Sequence, residues 1–219
     1  MGENFFSVIF YSFYIFEGNY WDFKKTIQSY IELTNTNEFL SNERIHLDLN
    51  IHGCRELSRL IHNYAASWLS LVDHTRVIKE KLKGHEVDGI RNFALEYEVK
   101  LNEFLKDSFE NFFVKDLRRY VQHKAVPIPT LHYRLTQTGM SCSFQFNTKQ
   151  IEDFDWSKNS KQYIRNNKAV PLEEIIDRHF EMMKDFYLWI QFRDHQLHPY
   201  TSDWVKQATF ETWKQQSGK

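Results

Sequence analysis

The stretch Lys115-Asp-Leu-Arg-Arg-Tyr-Val-Gln-His-Lys-Ala-Val-Pro-Ile-Pro129 sets Arg118 and His123 near the C-terminal end of a predicted helix that Pro127 and Pro129 terminate. A permanent cation and a group that titrates near neutrality thus share one neighbourhood. Guanidinium binds phosphate in a bidentate fork and stabilises charge that grows on it. Imidazole takes or gives a proton near its ordinary pKa of about 6.5. RNA cleavage without a metal needs both functions. The ribose 2′-hydroxyl attacks, a base takes its proton, an acid protonates the leaving oxygen, and cations hold the phosphorane. Arg118 and His123 are the candidate catalytic pair. One His123 serves one proton role, and in a two-fold dimer a second His123 would serve the other. Arg119 and Lys124 beside them are candidate substrate contacts.

Helix geometry constrains this pair. Residues five apart differ by about 140° around a straight helix, whereas Arg119 and His123, four apart, share a face. Either the helix ends before His123 and the ring swings back, or Arg119 is the partner. The bland alternative is that Arg118 pairs with Asp116 or Asp107 while His123 caps the last carbonyls, a gain of ~0.3–1 kcal/mol. Asn63 and Asp73, with His74, lie on an upstream predicted helix. If the two helices pack antiparallel, one of these polar residues reaches the Arg118/His123 end; otherwise they are solvated or capping residues. His195-x-x-His198 has the spacing of a metal pair, but no nearby cysteine or carboxylate cluster completes four ligands, so no metal site is expected. A phosphate-binding glycine loop and a serine or cysteine triad signature are both missing, which disfavours ATP hydrolysis, acyl transfer and protease chemistry.

The elements that position these residues are mostly helical. Leu57, Ile61, Tyr64, Trp68, Leu71, Thr75, Ile78 and Leu82 step by three or four over about 54–83, with Gly84 as a natural stop. A second stripe runs from Phe93 to Val121, as one very long helix or as two with a break near Asp107-Ser108. Pro171 is expected to open a third helix at its first turn, with Leu172, Ile175, Ile176, His179, Phe180, Met183, Tyr187 and Ile190 as its stripe. A shorter helix is expected over 20–34, and a last one after His198-Pro199. The aromatic run 5–16 suits a strand, with a buried helix as the alternative. Arg44–Ile51 alternates like a strand or extended lead-in. Leu131–Leu135 and Ser141–Phe146 bracket a hairpin turn at Gly139, giving a β-hairpin at about 131–146. Residues 153–167 are polar, a surface loop or short helix. With no repeat or linker visible, residues 1–219 are expected to form a single domain.

Composition agrees. Of 219 residues, 42% are hydrophobic and 16% aromatic, enough for a substantial core, while only 7 glycines and 4 prolines disfavour a turn-rich β-sandwich. A formal net charge of −1 excludes a protein that coats nucleic acid, so RNA contacts must be local. Cys54 and Cys142 form no motif and are expected as buried thiols in a reducing cytoplasm. The 5–16 run is too short to span a bilayer and lacks the basic flank of a signal peptide, so no membrane association is expected.

The second predicted helix ending in Leu117-Arg-Arg-Tyr-Val-Gln-His-Lys-Ala-Val-Pro-Ile-Pro129, with the preceding helix Glu56–Thr75, resembles the HEPN superfamily, in particular uncharacterised bacterial members with a Leu-Arg-Asn-Tyr-x-x-His-x-x-x-Pro version of the Arg-x4-His motif. One departure is Arg119, where the family usually has Asn, Asp or His. The resemblance covers about half of the chain. It implies a mainly α, HEPN-like antiparallel helical bundle, here with a small β-hairpin insertion. It also implies a cofactor-free, metal-independent endoribonuclease of a toxin–antitoxin or phage-defence system. Such proteins act as homodimers whose motifs face each other across a shared cleft, with RNA as substrate and an antitoxin or defence protein as a further partner. The alternative is a non-catalytic module of the same fold that binds a nucleotide or protein; a third possibility is an antitoxin-like or structural helical protein.

Overall fold

The structure, a computed structural model, describes residues 5–136, 139–198 and 201–218, with the side chains of residues 5, 134–136 and 139–141 outside that description. It is mainly helical, with a small antiparallel sheet. Helix α1 (Phe5–Thr34) replaces the strand expected over 5–16 and absorbs the short helix expected after it. The aromatic residues there have strand propensity, but burial follows helical spacing. Phe6, Ile9, Ser12, Phe16, Tyr20, Phe23 and Ile27 are buried at steps of three and four. Packing of that stripe overrides the local preference.

The short helices α2 (Asn37–Ser41) and α3 (Glu43–Asp48) follow, and α3 occupies the stretch read as extended. Its start is set by Asn42, whose side chain accepts from Arg44 N at 3.1 Å, so capping outweighs the apparent alternation of Ile45, Leu47, Leu49 and Ile51. A π-helical turn (Leu49–Gly53) leads into α4 (Cys54–Leu82), close to the expected span. The Phe93–Val121 stripe is two helices, α5 (Asp88–Leu105) and α6 (Phe109–His123), parted near Asp107-Ser108. Strands β1 (Thr130–Thr136) and β2 (Gly139–Asn147) pair antiparallel, Leu131 opposite Phe144, as the expected hairpin; residues 137 and 138 of its turn lie outside the described residues. The four-residue α7 (Thr148–Ile151), α8 (Lys158–Asn166) and β3 (Ala169–Pro171) come next, β3 pairing with β2. Pro171 therefore closes an edge strand, where its missing N–H costs no ladder bond, instead of occupying the first helical turn. Helix α9 (Leu172–Leu197) starts one residue later, and α10 (Asp203–Gln207) and α11 (Phe210–Gln216) make two short terminal helices in place of one. No helix among the described residues is long and apolar enough to cross a membrane.

Two compact units divide the chain, and α1, α4 and α9 each contribute to both. The first comprises Met1–Tyr14, Ser70–Ser108 and Phe180–Lys219. Its interior is aromatic: Phe93 stacks on Trp189 at 5.6 Å, Phe6 meets Phe93 edge-on at 5.2 Å, and Tyr97 meets Phe186 edge-on at 5.4 Å. Polar groups inside it are paired, Thr75 with the Tyr187 hydroxyl at 2.7 Å and Lys79 with Glu98.

The second unit comprises Ile15–Leu69 and Phe109–His179 and holds the sheet. One face of β2 buries Cys142, Phe144 and Phe146, and burial raises the Cys142 thiol to about 11. Cys54 is buried too, and neither cysteine forms a disulfide. His179, read from the sequence as one member of the apolar stripe of α9, is fully buried among Phe16, Tyr64 and Trp68. Its Nδ1 shares a hydrogen bond with the Tyr64 hydroxyl at 2.7 Å, while His179 Nε2 and Trp68 Nε1 find no partner among the described residues. Desolvation lowers the imidazole to about 3.

A depressed histidine pKa makes stability complete above the ordinary value near 6.5 and erodes it as pH falls toward the folded value, at about 1.4 kcal/mol per pH unit. Urea unfolding at pH 7 and pH 5 should therefore show an acid loss about 2 kcal/mol smaller in His179→Gln than in wild type. Equal losses in the two proteins would show that the ring does not exclude its proton.

Candidate functional site

The end of α6 is positioned by the segment that follows β2. Phe113 stacks on Trp156 at 5.5 Å with rings 3° from parallel, Tyr120 stacks on Trp156 at 5.6 Å, and the indole N–H donates to Ile151 O at 2.6 Å. Asp116, between Phe113 and Tyr120 in the helix, has a side chain that is 3% exposed. Its Oδ2 accepts from Ser157 N at 2.9 Å and its Oδ1 accepts from Arg119 Nη1 at 3.3 Å. Buried carboxylates require such donors. Arg119 also approaches Asp155 at 3.9 Å and lies over the Phe154 ring at 5.4 Å. Two carboxylates and an aromatic face thus already engage the guanidinium that shares a helix face with His123.

Arg118, one position earlier, is half-buried and makes no ion pair with any described residue, and its Nε is buried without a hydrogen-bond partner. The pairing with Asp116 that the bland alternative gave to Arg118 falls instead to Arg119. His123 is the last residue of α6 and is exposed, as is Lys124 after it. The helix does not unwind before His123: Lys124 N and Ala125 N both donate to Tyr120 O, at 2.9 and 3.2 Å. Arg118 and His123 therefore leave the helix about 140° apart. The chain beyond the helix is tied down where Ser58 Oγ donates to Pro127 O at 2.9 Å, so α4 holds the exit segment.

Asn63 is half-buried on the same part of α4, in the same unit as α6. Asp73 belongs to the other unit, is exposed, and approaches Arg76 at 3.7 Å, an ordinary surface i,i+3 pair. His74 Nδ1 shares a hydrogen bond with Ser12 Oγ at 2.6 Å. At the far end of α9, His195 packs edge-on against Trp213 at 5.7 Å, and no group of three or more His, Cys, Asp or Glu among the described residues could hold a metal ion.

No protein family, no curated protein and no solved structure matches the chain. The arrangement must speak through its chemistry.

What α6 offers is one committed arginine, one open arginine, and an exposed histidine and lysine at its end. A guanidinium with no counter-ion among the described residues is available to an anion, and phosphate matches its fork. Sequence spacing alone did not reveal the Asp116–Arg119 pair. The usable signal was Asp116 itself, an acidic residue beside Leu117 and one turn before Tyr120, at a position that faces the interior.

Removing Arg119 leaves the buried Asp116 carboxylate with a single donor. Arg119→Ala should cost about 1–3 kcal/mol in urea unfolding, whereas Arg118→Ala should stay within about 0.5 kcal/mol of wild type. The reverse order would assign the anchoring role to Arg118.

Proposed function

We propose that this chain is a metal-independent endoribonuclease on a HEPN-like helical bundle, a toxin or phage-defence effector that works as a homodimer in the cytoplasm. The observation that supports it best is the contrast on α6: Arg119 is bound to Asp116 and Asp155, while Arg118 keeps a buried, unpartnered Nε and no counter-ion among the described residues. A guanidinium with no described counter-ion can accept one, and its planar fork matches a scissile phosphate.

The roles follow. Arg118 holds the phosphate and the charge that grows on it. His123, exposed at the helix end, takes the proton of the 2′-hydroxyl or gives one to the leaving 5′ oxygen. Because the two side chains diverge on one helix, Arg118 meets His123 of the partner subunit across a two-fold axis, and two copies of His123 divide the acid and base roles. The products are a 2′,3′-cyclic phosphate and a 5′-hydroxyl. Lys124 and Asn63 contact the flanking backbone and bases. Arg119 supports substrate only through the part of its guanidinium not held by Asp116.

A second reading has its own observation. The divergence of Arg118 and His123 on a helix that stays intact through His123 suits a non-catalytic module, in which Arg118 alone grips a nucleotide or a partner's phosphate.

Purified protein incubated with single-stranded RNA in excess chelator separates the two. Fragments ending in 2′,3′-cyclic phosphate are expected, formed about 10²–10⁴ times more slowly by His123→Ala and at least as slowly by Arg118→Ala. RNA bound but left intact by wild type would favour the binding module. Cleavage that survives both substitutions would remove this pair from the mechanism.

A further inference from the structure

A second cationic feature of the same unit lies apart from α6's own side chains. A cleft of about 550 Å³ opens between α7 and α8, at the end of the β2–β3 pair. Its walls carry Lys149, Arg165 and Lys168, with Asn147 and Asn167 between them and Glu152 as the one lining carboxylate. None of the three cations makes an ion pair with a described residue; Lys25, Arg44, Arg55, Lys115 and Lys124 in the same unit make none either, so what sets these three apart is their convergence on one cleft. The walls are held in place by backbone. Thr148 N donates to Lys168 O at 3.2 Å, the buried Thr148 Oγ1 donates to Asn167 O at 2.9 Å, and Asn167 Nδ2 donates to Tyr163 O at 2.9 Å.

The cleft continues onto α8. Ser160 and Ile164 are buried on one side of that helix, while Lys158, Lys161 and Arg165 are all exposed on the other. Steps of three and four set those three cations within about 60° of one another. Lys158 and Lys161 also lack an ion pair among the described residues. A row of unpaired cations that leads into a concave, preorganised cleft is the pattern that tracks a polyanion backbone, whereas charges scattered on a solvated face need no cavity.

We propose that this cleft and the α8 face form a binding site for the phosphodiester backbone of single-stranded RNA. Lys149, Arg165 and Lys168 hold one phosphate group in the cleft, and Lys161 and Lys158 follow the next along α8. Asn147 and Asn167 supply neutral donors and acceptors for the sugar. The choice of RNA as the polyanion rests on the ribonuclease reading; the phosphate chemistry of the cleft does not depend on His123.

Fluorescence anisotropy with a fluorescein-labelled single-stranded RNA, titrated at several salt concentrations, tests it. Wild type should bind, and the triple variant Lys149→Glu, Arg165→Glu, Lys168→Glu should bind at least tenfold more weakly. Its slope of log affinity against log salt should be shallower by about 0.7, the loss of one phosphate contact on a single strand. All three residues are exposed, so the urea midpoint should hold; the triple Gln variant, with an intermediate loss, covers the case where charge reversal disturbs folding. Unchanged affinity in both variants, or a polyglutamate peptide bound as tightly as RNA, overturns the site. RNA that wild type binds through these residues but never cuts leaves the site standing and removes the ribonuclease. RNA that is cut equally well by wild type and by a triple variant with unchanged affinity does the reverse.

Discussion

A carboxylate cannot stay charged in an apolar interior without donors, and Asp116 meets that requirement from two directions. One donor is Arg119, a turn along its own helix; the other is the backbone N–H of Ser157, the residue that immediately precedes α8. The first bond ties one of the two adjacent arginines to the interior. The second fixes where α8 starts relative to α6, and stacking of Phe109 on Tyr163 at 4.3 Å continues that contact along both helices. The open arginine of α6 and the outward basic face of α8 are thus both consequences of satisfying one buried acid. An apolar residue at 116 would release Arg119 and loosen the start of α8 together.

The same rule explains the polar groups elsewhere in the interior. Tyr64 and Tyr187 are fully buried, and desolvation pushes both phenols well above their ordinary range, so they act as neutral hydrogen-bonding groups, to His179 and Thr75 respectively. His179 is kept neutral by the rings around it. This interior therefore tolerates hydroxyls and a ring nitrogen that pair locally.

Helix positions that repeat a long apolar stripe were legible in the sequence. The span of α4 and the buried stripe of α9 follow from side chains at steps of three and four, because burial enforces that period, whereas the stripe from Phe93 to Val121 fitted one long helix as well as the two observed. The hairpin was legible for the same reason, with alternation from Leu131 and from Cys142 to Phe146. The failures had a different cause. Residues 5–16 contain so many aromatics that both periods fit, and only contacts made far along the chain choose the helix. Arg44–Ile51 alternates in composition, but one capping side chain, Asn42, outweighs the pattern. At the site, the sequence shows two adjacent arginines as equals. Which of them is spent on Asp116 depends on a loop some forty residues downstream, and no local spacing encodes that. Lys158, Lys161 and Arg165 lie in a stretch that reads in sequence only as a polar loop or short helix, and their alignment gains meaning from the cleft that β2, α7 and β3 build beside it.

Charge balance narrows what such a chain can hold. Lys and Arg number 28 against 29 Asp and Glu, and many pair along one helix turn, as in Arg59–Glu56, Lys83–Glu80, Arg91–Asp88 and Lys100–Glu103. Pairs of that kind add little stability, but they cancel locally, and across a Debye length of about 8–10 Å they leave little field to attract a distant polyanion. An approaching phosphate is then drawn only by cations left uncancelled, such as Arg118 on α6 and Lys149, Lys158, Lys161, Arg165 and Lys168 around α8. Few phosphate contacts mean few released counter-ions and a modest salt dependence, unlike a basic protein that coats nucleic acid. On the proposed reading, selectivity arises from where those few cations stand, and the buried acid that sets α6 against α8 fixes part of that arrangement.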